Sequence, residues 1–312
     1  MTDFTAFTAW LQEQDRSPRT IRAYTVALRD FAAWFTARTV QGLTPAHITP
    51  LDVKAYRQHL IEERRCKPTT VNNYLAGVRA YARWAKRTGQ AEHDPTNGVR
   101  AIAQEDLAPR WLTRAEQYAL LRAIEEEVQL GELRAQGDPA HPAWIWARRD
   151  KALLVLMLNT GLRLSEVAAL RLADVEIHER SGQVRVLGKG RKARQAPLNH
   201  DARKALTEWL AVRPGEESDP NAAPLFLSQK GGALSARAIA FRVAALADRA
   251  GLKNMSPHTL RHTFAKNLVD AGVGLEKVAK LLGHRNMETT RLYTTPSEAD
   301  LQVATERVSW GK

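Results

Sequence analysis

The chain has 312 residues, enough for two packed domains, with one cysteine and a formal charge of +12 at pH 7. The lone Cys66 excludes an internal disulfide framework and any cysteine-based zinc cluster, leaving a structural thiol near a helix end. The excess of Lys and Arg points to a polyanionic partner, although a basic surface by itself also suits a ribosomal or membrane-surface protein. Residues 1–15 are amphipathic with acidic members and no long apolar stretch occurs, so the expectation is a cytoplasmic protein without signal peptide or membrane span.

Helical periodicity runs from the start to about Thr88. Phe4, Phe7 and Leu11 mark a first helix, and Ile21, Tyr24, Leu28, Phe31 and Phe35 a second behind a Ser17-Pro18 cap. Thr49-Pro50 opens a third through Val53, Tyr56 and Leu60. The fourth follows Pro68 and aligns Val71, Tyr74, Leu75, Val78, Tyr81 and Trp84. Because these aromatics recur on apolar faces, they read as core rather than as base-stacking platforms. Asn72, Asn73, Arg79 and Arg83 lie elsewhere around the fourth helix. They are candidates for nucleic-acid phosphate contact, with a solvated face as the plain alternative. A four-helix domain is expected over 1–90.

Gly89, Pro95, Asn97, Gly98 and Pro109 then break the pattern, and the linker is set at 91–109. Up to Ala108 there are 15 basic and 11 acidic residues, and beyond it 31 and 23, so both parts are basic, as two lobes gripping one polyanion would be. Residues 110–312 read as a larger, α-rich domain. Thr113 to Glu116 fits a capping box opening a helix to about Val128. Residues 129–147, with Gly131, Gly137, Pro139 and Pro142, read as an extended loop. Residues 151–159 are apolar nearly all round and mark the buried centre of the domain. Gly161 ends that helix, Arg163 follows, and a short helix carries Glu166. Residues 183–198 alternate at period two around Gly188-Lys189-Gly190, the sign of a small antiparallel hairpin with Lys189 at its turn. Helices are expected at 200–212 and 235–250.

Segment 256–294 is basic and rich in histidine. Ser256 caps, and Pro257 begins, a helix whose first turns carry His258, Arg261 and His262, with His258 and Arg261 on one face. Leu275, Val278, Ala279 and Leu282 repeat at helical spacing, Gly283 stops that helix, His284 follows, and a polar run leads to Tyr293. Residues 297–310 read as a short amphipathic C-terminal helix. The fold class is therefore mainly α: an N-terminal four-helix domain plus a larger α-rich domain with a small antiparallel β-hairpin or sheet.

The residue types suggest chemistry on phosphorus. Arg163 and Arg261 suit a phosphate, because a guanidinium fork meets two oxygens at once and stays charged. Taken singly, each also reads as a surface residue. His258 and His284 can donate to nonbridging oxygens as charge builds in a transition state, their plain readings being a helix N-terminal histidine and a satisfied loop histidine. Tyr293 can attack phosphorus as a covalent nucleophile, but a phenol ionises near pH ~10 and needs positive neighbours. Lys189 can protonate a leaving oxygen, while the run through Arg191, Lys192 and Arg194 serves equally as plain nucleic-acid contact. His258 and His262 stand four apart, a zinc-ligand spacing, yet Thr259-Leu260-Arg261 between them lacks the glutamate of HExxH, and an arginine repels a dication. No metal or other cofactor is expected, and His262 reads as a packing or supporting residue.

Taken together, Gly161-Leu162-Arg163-Leu164-Ser165-Glu166, Gly188-Lys189-Gly190, His258-Thr259-Leu260-Arg261-His262, Leu282-Gly283-His284 and Thr289-Thr290-Arg291-Leu292-Tyr293 resemble the tyrosine recombinase (phage integrase) family, in a form similar to Xer-type enzymes. The match covers the second domain fully, and the first resembles the family's core-binding, DNA-clamping domain more loosely. What the resemblance implies is a site-specific recombinase. Arg163, Lys189, His258, Arg261 and His284 would surround the scissile phosphate, with Tyr293 as nucleophile and Glu166 as a supporting acid. Tyr293 would displace a 5′-hydroxyl and hold the strand as a 3′-phosphotyrosine, so one phosphodiester replaces another without ATP or metal, and strand exchange passes through a Holliday junction. The implied partners are double-stranded DNA with paired inverted half-sites and four protomers, alike or mixed, with 297–310 packing on a neighbouring protomer. Integration, excision and resolution stay open. The loop at 129–147 looks longer than in compact Xer proteins, which makes a mobile-element integrase or resolvase as fitting as chromosome-dimer resolution. A type IB topoisomerase shares the phosphotyrosyl chemistry and a non-catalytic DNA-binding protein could share the fold. The Xer-like first domain speaks against the former, and the intact set of six residues against the latter.

Overall fold

The computed structural model describes residues 3–39, 42–103, 109–187, 193–215, 219–284, 288–293 and 305–306. The chain divides into two compact units, Met1–Leu107 and Ala108–Lys312. Among the described residues of the first are four α-helices, α1 (Thr5–Glu13), α2 (Pro18–Arg38), α3 (Pro50–Glu62) and α4 (Pro68–Arg87). Proline begins the last three, because its fixed φ suits a first turn whose N–H groups have no intrahelical acceptor. Ser17 and Thr49 cap α2 and α3, Thr49 in a reciprocal box with Asp52. The apolar faces meet in one core, where Phe7 meets Tyr81 edge-on at 5.4 Å and Phe31 meets Tyr56 at 4.9 Å between ring centroids.

Residues 91–103 pack on this unit. Asn72 grips both main-chain groups of Ile102, accepting from its N–H at 2.8 Å and donating to its carbonyl at 2.9 Å. Arg79 donates to the Val99 carbonyl at 2.7 Å, and Val99 is buried in the core.

In the second unit α5 (Arg114–Ala135) starts at the Thr113–Glu116 capping box and α6 (Pro142–Thr160) runs through its centre, against α5, α8 (His200–Val212) and α10 (Pro257–Asp270). The extended loop expected over 129–147 is replaced by helix on both sides of residues 136–141. The two residues that misled are a contact and a start. A Cβ on Gly131 would lie 2.6 Å from the Ala143 carbonyl oxygen, so glycine marks the close approach of α5 to α6, and Pro142 takes the first helical position. With no long loop there, the argument it offered for a mobile-element protein falls away.

Beyond α6 come α7 (Leu164–Ala169) and an antiparallel sheet in the order β1 (Val175–Ile177), β2 (Gly182–Leu187), β3 (Ala193–Pro197). The pair β2 and β3 is the expected hairpin, with Val184 opposite Ala196 and Val186 opposite Arg194, and β1 adds an edge that periodicity over three residues did not reveal. Val184, Val186 and Ala196 are buried, which sets the inward face of the sheet. The remaining helices are α8 (His200–Val212), α9 (Ala236–Arg249), α10 (Pro257–Asp270), α11 (Leu275–Leu282) and the single turn α12 (Glu288–Arg291). The main core surrounds α6, and a smaller cluster of Ala265, Val278, Leu282 and Tyr293 joins α10 to α11 and to the second residue after α12. No helix among the described residues is long and apolar enough to cross a membrane.

Candidate active site

Helix ends converge on one place. The chain leaves α6 through Gly161 in a left-handed conformation, φ 60°, where a Cβ would also strike Phe264 at 2.5 Å. This turn delivers Arg163 as the N-cap of α7. Its main-chain N–H donates to Glu166 Oε2 at 2.8 Å, its Nη1 to Glu166 Oε1 at 3.0 Å, and its Nη2 to the Gly283 carbonyl at 3.2 Å. Glu166 is nearly sealed, its side chain 4% exposed, whereas that of Arg163 is 37% exposed, so the carboxylate anchors an arginine whose other face is open.

Arg261, on the second turn of α10, is buried and donates to the carbonyls of Gly161 at 2.6 Å and Leu282 at 2.8 Å, the orphan acceptors at the ends of α6 and α11. Burial, followed by the charge of Arg163, pulls its pKa down to about 10, which leaves it charged at neutral pH. His284 follows the Gly283 stop of α11, its Nδ1 2.9 Å from Thr290 Oγ1. Burial, then the charges of Arg261 and Arg163, hold its pKa down to about 4, so the ring is neutral.

Arg194 projects from the inward face of β3 and donates from Nη2 to Glu166 Oε2 at 2.8 Å. Arg163, Glu166, Arg194, Gly283 and His284 line a cleft of about 830 Å³, with the Arg185–Asp174 ion pair among its walls. On the other side, Tyr293 is 1% exposed and its hydroxyl meets His262 Nδ1 at 2.7 Å. Burial raises the tyrosine pKa, partly opposed by Arg261, and burial followed by the charge of His258 lowers that of His262, so both partners are neutral. His258 is exposed, its ring 6.4 Å from that of His262 between centroids, and no cluster of three His, Cys, Asp or Glu suited to a metal occurs among the described residues.

Arg163, Glu166, Arg261 and His284 thus gather in one place with Tyr293 beside Arg261. Lys189, Arg191 and Lys192 lie outside the described residues, as does 297–310 apart from 305–306. Among the side chains expected to face phosphate from the first unit, Asn72 and Arg79 are bonded to its own main chain and only half-buried, while Asn73 and Arg83 are exposed, Arg83 with its Nε donating to the Arg79 carbonyl at 3.3 Å. Sequence reasoning missed the His262–Tyr293 bond and the inward turn of Arg194. The second had a signal, since Arg194 and Ala196 share a strand face.

The phage integrase family pattern matches residues 144–300, and its N-terminal SAM-like domain matches residues 4–92. Tyrosine recombinase XerC of Pseudomonas fluorescens is 33% identical over 282 residues, covering 90% of this chain and 87% of the relative. XerC of Corynebacterium efficiens is 35% identical over 289 residues, covering 93% and 84%. In fold, the chain resembles the XerH site-specific recombinase bound to a palindromic difH substrate, at a TM-score of 0.75 with 21% identity over 96% of this chain and 84% of that one. The Tn1549 transposon integrase in complex with a circular intermediate DNA gives a TM-score of 0.71 with 20% identity, covering 97% and 98%. The chain belongs to the phage integrase family and is a site-specific tyrosine recombinase, a DNA strand-transferase.

Proposed function

We propose that the enzyme cuts one DNA strand by transferring its 3′-phosphate to Tyr293, rejoins it to a partner strand, and passes through a Holliday junction. The convergence of Arg163, Arg261 and His284 from three helix ends beside Tyr293 carries this reading. In the proposal both guanidiniums meet the nonbridging oxygens, where preorganised charge acts on the transition state without reorganisation. A hydroxyl of Thr290 that donates to Nδ1 leaves the proton of neutral His284 on Nε2, free for the same oxygens. His258, exposed at the start of α10, adds a further donor.

Tyr293 is stored protonated against His262. In the proposal it leaves that contact for the arginines, whose charge lowers the phenol pKa. The Oη–P bond forms as the bond from phosphorus to the 5′-oxygen breaks. Lys189 protonates that 5′-oxygen, and Glu166 keeps Arg163 in place. Double-stranded DNA with inverted half-sites as partner is supported by the solved relatives on DNA and by the positive charge of the chain. Four protomers on two sites, alike or mixed, with 297–310 packed on a neighbour, belong to the same proposal, as does action in the cytoplasm where the DNA lies. Asn73, Arg83, Arg191 and Lys192 are proposed to contact DNA. A nicked suicide substrate carrying the cognate site tests the core of it. Wild type should trap a covalent protein–DNA complex and Tyr293→Phe none; equal trapping by both would overturn the nucleophile.

A further inference from the structure

Arg194 occupies a strand position whose pattern requires an apolar residue. It pairs with Val186 across the sheet and shares the inward face with Ala196, both buried. There its guanidinium makes one charged hydrogen bond, to Glu166 Oε2, from a side chain 16% exposed. Its buried Nη1 has no hydrogen-bond partner among the described residues, so the Glu166 carboxylate is what holds the group. Glu166 in turn binds Arg163 at its main-chain N–H and at Nη1. On its other side Arg194 lies against Gly283, where a Cβ would sit 2.6 Å from Nε, and the Gly283 carbonyl is the remaining anchor of Arg163. Among the described residues, every group that aims Arg163 therefore touches Arg194.

A contact that only follows the DNA backbone away from the cluster carries an exposed charged end, whereas the Arg194 guanidinium is drawn in against the Glu166 carboxylate. Arg194 also adds a third guanidinium beside Arg163 and Arg261, and its charge helps to lower the pKa of Arg261. Burial lowers the pKa of Arg194 itself, with Glu166 opposing. Such crowding is tolerable only because the anion lies between the cations. We propose that Arg194 is a positioning residue that aims Arg163 at the scissile phosphate through Glu166 and Gly283 and makes no DNA contact itself.

This rests on Arg163 being a ligand of the phosphate. The test is single-turnover covalent complex formation on the nicked substrate, with DNA affinity measured across salt concentrations, for the full chain carrying Arg194→Met, Arg163→Lys or both. Arg194→Met should lose about 100-fold in cleavage at saturating DNA, the scale of a slight misplacement in a preorganised site. Its affinity and salt slope should match wild type. In the Arg163→Lys background the same change should cost only about threefold, because residues acting as a unit are not additive. A salt slope shallower by about one, with cleavage falling in step with binding, would identify a phosphate contact and overturn the proposal. So would losses that multiply in the double variant. If Arg194→Met fails to fold, Arg194→Lys, which keeps the charge without the planar fork, decides on the same two readouts. Full cleavage by Arg163→Ala would instead remove the phosphate reading underneath. An inactive Arg163→Ala beside an unimpaired Arg194→Met would remove the positioning role alone.

Discussion

On the arginine side of the site, Arg163 and Arg261 are seated by main-chain carbonyls at helix ends and by a buried carboxylate, whereas on the tyrosine side Tyr293 is held by apolar packing and one hydrogen bond to His262. Charged hydrogen bonds to fixed acceptors contribute about 1.5–3 kcal/mol each, and a neutral one about 1 kcal/mol. The cations are therefore fixed by the fold before any substrate arrives, as electrostatic stabilisation of a transition state requires. Tyr293, the proposed nucleophile, is held by burial and a single neutral hydrogen bond, and in its protonated form. That asymmetry suits the proposed roles, in which the arginines stand ready for a phosphate and Tyr293 is released to cleave it.

The largest break in this contrast is Tyr293→Phe. The ring still fills its apolar cluster, so folding and DNA affinity should stay near wild type while covalent product falls on the order of 10⁴-fold or more, read by trapping on the nicked substrate. Next come the arginines. Arg163→Ala and Arg261→Ala should each lower the cleavage rate by about 10²–10³-fold, the loss seen when one preorganised donor is removed. They should differ in stability. Arg261→Ala strands the Gly161 and Leu282 carbonyls in the interior, for a loss of about 2–4 kcal/mol in urea unfolding. Half-open Arg163 should lose about 1 kcal/mol. Equal losses would mean that the two guanidiniums are not seated differently.

Much of the arginine side was legible because its parts announce themselves locally. Ser256-Pro257 starts α10, Gly161 and Gly283 stop α6 and α11, and the two stops hand Arg163 and the neutral His284 to the site. The tyrosine side was less so. His262 and Tyr293 are 31 residues apart, and no pattern of local spacing announces a hydrogen bond across that interval. His262 even stood in a zinc-like spacing with His258, a local coincidence that tertiary contact resolves differently. The same limit applies to 129–147, where Gly131 and Pro142 look like breakers until α6 is placed against α5. It applies again to Asn72 and Arg79, polar residues on a helix that look solvated until 91–103 folds back on them.

A smaller effect separates the two sides by pH. With the His284 pKa held down to about 4 against an ordinary 6.5, the folded protein takes up a proton less readily than the unfolded chain. Its contribution to stability is therefore complete above pH 6.5 and is lost as pH falls toward 4, by about 1–3 kcal/mol for a ring only partly buried. Thermal melts across that window should show the fall, and His284→Gln should make it shallower. His262, shifted in the same direction, should account for part of the remainder. If His284 meets the phosphate as proposed, the negative charge raises the pKa of its ring, so DNA binding should take up protons within the same window.

The smallest effect addresses storage of the nucleophile. His262→Phe keeps a ring against Tyr293 and removes the hydrogen bond, a loss of about 1 kcal/mol. A change of that size is about fivefold in the population of the released hydroxyl. Nitration of Tyr293 by tetranitromethane, followed by mass spectrometry of its peptide, should rise by that factor, while the core tyrosines Tyr56 and Tyr81, buried in the first unit, serve as internal standards. An unchanged rate would show that the apolar cluster alone stores the phenol. The contrast would then run between charge fixed by main-chain acceptors and a proposed nucleophile with no polar restraint at all, and release would need only the withdrawal of Tyr293 from its packing against α10 and α11.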